Sequence, residues 1–452
     1  MKILLCNPEN SQGTTHSRKG MYAPLGILSI ATVLEQQLGD QVSLTVWDED
    51  VELADPAGFA AFDLVGFYAT TFNYLTCVQY ASVAKTFGCT TVLGGPHSTI
   101  LADQIQRNRN CFDYVIKYEA EQSMVQLVRH LLNPESQKKN EIPNLVYKEP
   151  GGVLHTGPYY ENKLADLPVI SRKFIPFDKY IENYTRVYPE RTKTRIGSLY
   201  SSKGCAWRDK TPGCAFCARV EEGVRFREIE QIWEEIRYLK NEFNVNCIWD
   251  ISDDNLNVPP WFKAFVDARP ADCEDMTFFI YSRVSFIRPD VIPYFHRLNV
   301  EEIFLGVESG DNKILKNTFK GQSAKMAVNA CTLLAQAGIK YFPSFILGLP
   351  GESEASMENT RILVEQLADL GGLDRMGLTI LQPIPGSPAY NQMLTLPQCE
   401  HLKEADDIDL KGLEEIWVNN FTDTTYDVVR EYRDKINGAV KGLHVFGSHK
   451  AS

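Results

Sequence analysis

The sequence predicts an α/β protein made of two successive runs of alternating strands and helices. Short apolar strands alternate with helix-like segments from residue 2 to residue 132, and the alternation starts again near residue 194. An irregular stretch at about 134–190 separates the two runs. We expect an N-terminal doubly wound parallel sheet, then a partial barrel of six β/α units, then a small helical C-terminal segment.

The first domain, residues 1–135, carries the pattern of a parallel sheet. Five apolar stretches have the length and composition of strands: 2–6, 42–47, 64–68, 91–93 and 114–116. Helical spacing of apolar residues follows Pro24, and further helical stretches lie near 74–87 and 121–132. Ligands of such sheets bind at the carboxyl ends of the strands. The candidate residues at those ends are Thr70, Thr71, Gly94, Gly95 and Glu119.

The rest of the chain is divided by its pattern into three parts. Residues 136–190 have no long period and are interpreted as a linker or strap with a hairpin near 145–155. Residues 191–395 contain six predicted strands, at 196–201, 247–251, 277–282, 302–307, 340–347 and 377–381. Six units are too few for a complete barrel, so we expect a lateral opening. Residues 396–452 are charged and helical, and either cap that opening or pack outside it.

Composition restricts the class of protein. The formal net charge of -12 argues against a general nucleic-acid-binding surface. No apolar run approaches the roughly 20 residues of a membrane span. The 11 cysteines form no disulfide-like framework, which favours a reducing cytoplasm.

Three cysteines, Cys205, Cys214 and Cys217, lie in the loop after the first predicted barrel strand, with the spacing C-x8-C-x2-C. Thiolates this close together are natural ligands of a soft metal or an iron–sulfur cluster. The nearest further ligands are Cys247 and His155, far along the chain on either side. A cluster held by three cysteines leaves one iron open for chemistry. The alternatives are three reduced thiols in a loop, or a zinc site completed by a distant ligand.

The second half of the chain, over about residues 194–390, resembles the radical S-adenosylmethionine (radical SAM) enzymes. The resemblance rests on the cysteine loop and on three strand-end motifs: Gly306-Val-Glu-Ser-Gly310, Gly348-Leu-Pro-Gly-Glu352 and Pro383-Ile-Pro-Gly-Ser387. The usual spacing in that family is C-x3-C-x2-C. The widened first gap looks like a branch of cobalamin-binding radical SAM proteins tied to peptide maturation. A longer loop need not change the ligands, because closure cost grows slowly with length.

The first domain resembles the cobalamin-binding domain that often precedes such barrels. The matching pieces are 24–27, 94–97 and 113–121. Tyr118 and Ala120 depart from that family, in which glycines are common at these places. The chain lacks the D-x-H-x-x-G motif whose histidine ligates cobalt, as radical SAM members often do. The resemblance therefore implies cobalamin binding with the lower face of cobalt free.

The resemblance also implies a set of cofactor contacts in the barrel. The three cysteines would hold a 4Fe–4S cluster, and S-adenosylmethionine would chelate the open iron and be split by one electron to give a 5′-deoxyadenosyl radical. Phe216 would line the adenine, with a core aromatic as the alternative. Asp253 and Asp254 stand where the family often has an amine-binding Gly-Gly-Glu, and could otherwise cap the next helix.

For three further barrel residues the resemblance implies contacts with S-adenosylmethionine, and two of them also have a structural alternative. Glu308 and Ser309 would bond the ribose hydroxyls or the methionyl amine, the alternative for Glu308 being a solvated salt bridge. Arg283 would pair with the methionyl carboxylate, the alternative being a structural ion pair.

In the first domain, the strand-end residues named above would contact the corrin or its nucleotide tail, or serve only as loop residues. His97 is either a polar contact there or a surface histidine.

These expectations combine into a cobalamin-dependent radical SAM methyltransferase that acts on an unactivated carbon or phosphorus centre. The alternatives are a radical cyclase, rearrangement or 3-amino-3-carboxypropyl transfer, and a non-catalytic cluster-carrying protein. The expected partners are a small-molecule or peptide substrate and a one-electron donor such as flavodoxin or ferredoxin, without nucleic acid or membrane. The expected location is the cytoplasm.

Overall fold

The computed structural model describes residues 1–12, 20–158, 164–221, 223–252, 256, 258–440 and 444–446. The chain forms two compact units. One unit contains Met1–Thr192 together with Leu394–Leu410, and the other contains Lys193–Met393 together with Lys411–Ser452. Residues 394–410 thus belong to the first unit, although they follow most of the second unit in the sequence.

The first unit is built on a sheet of seven strands in the order β2-β1-β3-β4-β5-β6-β7. Five of them are parallel, as predicted: β1 (Lys2–Asn7), β2 (Ser43–Asp48), β3 (Leu64–Tyr68), β4 (Thr90–Gly94) and β5 (Tyr114–Ile116). The predicted hairpin is also present and adds two antiparallel strands at one edge, β6 (Leu145–Glu149) and β7 (Gly152–His155).

The helices of the first unit include two that the sequence pattern did not predict. The helices are α1 (Leu25–Leu38), α2 (Tyr74–Thr86), α3 (Pro96–Asn108), α4 (Glu121–Leu132) and α5 (Phe177–Val187). Helix α5 falls in the stretch expected to be irregular, and it buries three aromatic residues, Phe177, Tyr180 and Tyr184, together with Ile181. The spacing is helical, but the composition of this Pro- and Asn-containing segment predicts loop for its tyrosines. Helix α3 begins at Pro96, directly after the strand-end glycines.

The second unit is a curled parallel half-barrel of seven strands in the order β16-β15-β14-β13-β12-β11-β8. Six strands match the predicted ones: β8 (Ile196–Leu199), β11 (Cys247–Asp250), β12 (Thr277–Arg283), β13 (Val300–Glu308), β14 (Lys340–Leu347) and β15 (Arg375–Ile380). The seventh, β16 (His444–Phe446), pairs in parallel with β15 and lies in the tail that was expected to be helical throughout. A short ribbon of β9 (Ser202–Lys203) and β10 (Arg225–Phe226) brackets the cysteine loop.

The helices of the second unit follow the strands in the predicted order. They are α6 (Ala206–Lys210), α7 (Ile229–Phe243), α8 (Pro259–Asp267), α9 (Ile292–Leu298), α10 (Asn312–Asn317), α11 (Ala324–Gln336), α12 (Glu354–Asp369) and α13 (Pro388–Met393). The tail adds α14 (Leu410–Phe421) and α15 (Tyr426–Ala439). Among the described helices, none combines the length and apolar composition that crossing a bilayer requires.

Candidate active site

The cysteine loop leaves the barrel after β8, and α6 fills its long first gap. Cys205 precedes this helix and accepts a hydrogen bond at its carbonyl from Asp209 N at 3.3 Å. Cys214 and Cys217 share a turn in which Cys217 N donates to Cys214 O at 3.0 Å. All three cysteines are half-buried and free of disulfides. The motif therefore presents three thiols on one loop at the carboxyl end of the first barrel strand.

Backbone contacts with the rest of the barrel hold this loop in place. Ala215, between the second and third cysteines, donates from its N to Thr318 O at 3.1 Å. Its carbonyl accepts from Ala389 N at 2.9 Å. On the other side of the gap, the indole Nε1 of Trp207 donates to Phe319 O at 2.8 Å. The shape of the loop is thus supported by contacts with the turn at Thr318 and Phe319 and with the start of α13.

Glu308 ends β13 and forms a buried ion pair that the sequence did not reveal. Lys320 Nζ donates to Glu308 Oε1 at 2.6 Å, and both side chains are less than a tenth exposed. Glu308 has φ of 70°, and the pairing of β13 with β14 shifts register between Gly306 and Glu308. A Cβ at Gly306 would lie 2.6 Å from Glu308 Oε1 and 2.8 Å from Lys320 Nζ, so this glycine leaves room for the pair. The alternative of a solvated salt bridge is wrong, because the pair is buried.

Two other predicted residues lie around the same lysine. Phe216 is half-buried, and its ring centroid is 5.7 Å from Lys320 Nζ. Arg283 is buried at the end of β12, donates to Lys320 O, and places its guanidinium carbon 4.5 Å from the centroid of the Trp207 ring. Burial raises the pKa of the Cys214 thiol, while the cations of Lys320 and Arg283 act in the opposite direction.

The other predicted barrel residues are not among those around Lys320: Ser309 faces α10 and α12, and two aspartates lie outside the described residues. Ser309 is fully buried, where its hydroxyl lies 3.3 Å from Thr360 Oγ1 and accepts from Asp311 N at 3.1 Å. Its hydroxyl is therefore directed to the start of α10 and to α12. Asp253 and Asp254 lie outside the described residues.

A buried carboxyl group next to the cysteine loop was also missed by sequence reasoning. Asp250 ends β11 and accepts hydrogen bonds from Ser201 Oγ at 2.5 Å and Ser252 N at 3.0 Å. Burial raises its pKa, and the hydrogen bonds from the two serines oppose that effect. The cluster of Asp250, Ser201 and Ser252 joins the end of β8, from which the cysteine loop departs, to the end of β11.

The three thiols of the loop are the kind of donor that an iron–sulfur cluster takes. Within the described parts of the chain, no three His, Cys, Asp or Glu side chains converge on one metal position. The positive charges of Lys320 and Arg283 act on Cys214, and such charges suit a group with anionic thiolate ligands.

In the first unit, His97 is a buried residue, and its assignment as a surface histidine is wrong. The ring is 2% exposed and stacks on Tyr74 with centroids 4.3 Å apart. Nε2 lies 2.9 Å from Asp406 O, and Nδ1 lies 3.2 Å from Thr71 Oγ1. Because a carbonyl only accepts, Nε2 carries the proton and Nδ1 accepts from the threonine hydroxyl. Burial lowers the pKa of His97 to about 4.

The other strand-end residues of the first unit are held by turn geometry. Gly95 has φ of 107°, and a Cβ there would lie 2.5 Å from Ala69 O, so only glycine fits. Thr70 donates from both N and Oγ1 to Asn73 Oδ1, at 2.7 and 3.2 Å. Gly94 is half-buried at the end of β4.

Tyr118, in the loop after β5, stands where the cobalamin-binding family commonly has glycine, and the backbone of this loop shows how a tyrosine is accommodated. Tyr118 has φ of 57°, a conformation that glycine adopts without strain, and its N donates to Thr99 Oγ1 at 2.9 Å. Glu119 follows it, half-buried, and its carbonyl accepts from Asn144 Nδ2 at 2.9 Å. Tyr118 therefore adopts the backbone conformation that a glycine would adopt at a place where the family favours glycine.

The segment 394–410 is attached to the first unit through Asp406. This carboxylate accepts from Arg109 Nε at 2.5 Å, from Asn108 Nδ2 at 3.2 Å and from the Tyr74 hydroxyl. Burial acts to raise its pKa, but these three hydrogen bonds together hold the pKa below its usual value. No sequence pattern links Asp406 to residues 297 or more positions earlier.

Comparison with known proteins assigns both units. A family model described as the radical SAM superfamily matches residues 199–379, and one described as a B12 binding domain matches residues 12–128. The chain is a radical SAM enzyme with a B12-binding domain. The first of these domains implies a 4Fe–4S cluster and S-adenosylmethionine, and the second supports cobalamin.

Several relatives of this radical SAM enzyme are named as methyltransferases. An uncharacterised methyltransferase of Pyrococcus horikoshii is 26% identical over 412 residues, covering 88% of this chain and 85% of the relative. The bacteriochlorophyllide d C-12(1)-methyltransferase of Chlorobaculum tepidum is 22% identical over 399 residues, covering 87% and 78%. The solved radical S-adenosylmethionine methyltransferase TsrM from Kitasatospora setae has a TM-score of 0.69 at 16% identity, covering 87% of this chain and 75% of that one. The last similarity concerns the fold.

Proposed function

We propose that this radical SAM enzyme is a cobalamin-dependent methyltransferase that reductively cleaves S-adenosylmethionine at a 4Fe–4S cluster and methylates an unactivated carbon or phosphorus centre. The observation that carries the proposal is the cysteine trio beside the buried Glu308–Lys320 pair at the carboxyl ends of the barrel strands. Barrel enzymes place their chemistry at those ends. The B12-binding domain and the methyltransferase names of the relatives support methyl transfer.

In the barrel, different residues would ligate the cluster and bind S-adenosylmethionine. Cys205, Cys214 and Cys217 would ligate the cluster, which supplies one electron to the sulfonium of S-adenosylmethionine. Glu308 would accept a charge-assisted hydrogen bond from the methionyl ammonium or hydrogen bonds from the ribose hydroxyls. Lys320 neutralises this carboxylate in the buried ion pair.

Other barrel residues shape the surroundings of that pair. Phe216 would line the adenine, and Arg283 supports Lys320 through its carbonyl. Arg283 retains the planar fork that suits a methionyl carboxylate. Asp253 and Asp254 complete the proposed set of S-adenosylmethionine contacts, whereas Ser309, whose hydroxyl contacts Thr360 and Asp311, is left out of that set.

Cobalamin would bind at the carboxyl ends of the strands of the first unit. Thr70, Thr71, Gly94, Gly95 and Glu119 are the proposed contacts, and cobalamin would supply the methyl group for transfer. His97 uses both ring nitrogens in protein contacts, to Thr71 and Asp406, so it has no nitrogen left for cobalt. The site therefore agrees with cobalamin bound without a histidine from this position.

The proposal is tested by anaerobic reconstitution with iron, sulfide and hydroxocobalamin, followed by reaction with S-adenosylmethionine and a one-electron donor such as flavodoxin or ferredoxin. We expect reductant-dependent formation of 5′-deoxyadenosine and S-adenosylhomocysteine, with transfer of a deuterated methyl group to a small-molecule or peptide acceptor. Formation of 5′-deoxyadenosine alone would overturn methyl transfer in favour of a cyclase, a rearrangement or another radical reaction. Formation of neither product by a protein with an intact cluster would overturn the catalytic role.

A further inference from the structure

The gap between Cys205 and Cys214 contains a contact that links the cysteine loop to the Glu308–Lys320 pair. We propose that Trp207 is a positioning residue, which closes the cysteine loop on the turn formed by residues 318–321 and holds Cys205 in place before any cluster is bound. The inference rests on the proposed function and concerns the eight residues that set this loop apart from the usual spacing of the family.

The contacts of Trp207 are specific in both polarity and shape. Its Nε1 donates to Phe319 O at 2.8 Å, and the guanidinium carbon of Arg283 lies 4.5 Å from its ring centroid. A Cβ at Gly321 would lie 2.1 Å and 2.2 Å from atoms of the indole ring. Gly321 also has φ of +67°, so both its conformation and its closeness to Trp207 require glycine.

The 318–321 turn needs support from outside itself. Phe319 has φ of 53°, an unfavourable conformation for a non-glycine residue, and its side chain is 52% exposed. The Phe319 side chain therefore contributes little burial to hold the turn. The hydrogen bond from Trp207 and the bond from Arg283 to Lys320 O act on the two successive carbonyls of this turn.

The same turn carries Lys320, whose ammonium group binds Glu308. It is also tied to the far side of the gap, because Ala215 N donates to Thr318 O at 3.1 Å. Trp207, near the start of the long gap, and Ala215, just after its end at Cys214, thus bind neighbouring residues of one turn. The contacts shorten the span that is free to move and reduce the conformational entropy that cluster binding would have to remove.

The first test uses the apoprotein, so its result does not depend on the cluster. Hydrogen exchange of the segment 203–219 is measured in Trp207→Ala, Trp207→Phe and Lys210→Ala, the last removing an exposed side chain from the same helix. We expect exchange about tenfold or more faster in Trp207→Ala, because a hydrogen bond, a cation–π contact and packing are lost together. Trp207→Phe keeps the ring and loses the N–H donor, so its increase should be smaller. Lys210→Ala should match the wild type.

The second test follows release of iron from the reconstituted protein to a chelator. Trp207→Ala should lose iron about tenfold or more faster than the wild type, Trp207→Phe should fall between them, and Lys210→Ala should match the wild type. Unchanged cobalamin binding in each variant shows that the first unit is intact. Should Trp207→Ala fail to fold, Gly321→Ala keeps the indole and displaces it, and the same acceleration is expected.

Exchange and iron release at wild-type rates in Trp207→Ala or Gly321→Ala would overturn the positioning role. A wild-type protein that takes up no cluster would instead count against the proposed function. In that case the hydrogen-exchange comparison still decides whether Trp207 holds the loop.

Discussion

Lys320 Nζ and Glu308 Oε1 are 2.6 Å apart in a buried ion pair at the carboxyl end of β13. A buried charge is tolerated when it is paired and is costly when it is left alone. The residues come from a strand end and from the turn before α11, so the pair also joins the Gly306–Gly310 motif to the turn that holds the cysteine loop.

Removal of Lys320 alone should destabilise the protein strongly. We expect Lys320→Met to lower the free energy of unfolding of the second unit by about 3–5 kcal/mol, since it leaves Glu308 buried without its partner. The double variant Glu308→Gln/Lys320→Met should recover part of that loss. Denaturant unfolding measures both, with Lys316→Met, an exposed lysine on α10, as the control. Equal effects of Lys320→Met and the control would show that the pair carries no such energy.

Glu308 should contribute directly to binding of S-adenosylmethionine. A charge-assisted hydrogen bond is worth about 1.5–3 kcal/mol, so Glu308→Gln should weaken binding about ten- to hundredfold. Anaerobic equilibrium dialysis with labelled S-adenosylmethionine and reconstituted protein measures the dissociation constant. Glu354→Gln alters an exposed carboxylate near the next strand-end motif and should leave the affinity unchanged. An unaltered constant in Glu308→Gln would remove Glu308 from the binding site.

The cysteine trio should be required for the cluster and the other thiols should not. Cys214→Ala removes one of three thiolate ligands, so we expect loss of the cluster absorption and of most bound iron while the fold survives. Cys331→Ala removes a fully buried thiol from α11 and should retain the cluster. Iron and sulfide analysis with visible spectra gives the result. A full cluster in Cys214→Ala would contradict the assignment.

Glu352 should make the protein less stable as pH rises. Burial raises the pKa of this carboxyl to about 8, although Gly348 N and Leu349 N donate to it. Between about pH 4.5 and about 8 the unfolded chain has released this proton and the folded chain has kept it. The free energy of unfolding should therefore fall by about 1.4 kcal/mol per pH unit, relative to Glu352→Gln. Parallel pH profiles of the two proteins would show that the group is ionised when folded.

His97 should make the protein less stable as the pH falls, in contrast to Glu352. Its pKa is lowered to about 4, so between pH 6.5 and about 4 the unfolded chain binds a proton that the folded chain does not. The free energy of unfolding should fall by about 1.4 kcal/mol per pH unit as the pH drops through this range, relative to His97→Gln. The visible spectrum of bound cobalamin should be the same in both proteins. A different spectrum in the variant would indicate that His97 contacts cobalt.

Local patterns were sufficient for most of the fold and for the outline of the site. The strands of both sheets and the order of the β/α units follow from hydrophobic runs and turn residues, which are local properties. The cysteines and the strand-end motifs also occupy contiguous stretches. Phe216, Arg283 and Glu308 are candidates because they lie at strand ends or within the cysteine motif, and all three lie around Lys320. Helices α3 and α5 were missed because a polar start and a tyrosine-rich stripe resemble loop composition.

The sequence by itself determined the two-unit α/β plan, the cysteine trio and the cofactor class. Only the tertiary structure decided that Lys320 neutralises Glu308, that Trp207 closes on Phe319 from 112 residues away, and that His97 meets Asp406 across 309 residues. The physical reason is that these contacts depend on which loops the folded sheets bring together. A single lysine, tryptophan or aspartate outside a periodic stretch belongs to no sequence pattern that identifies its distant contact.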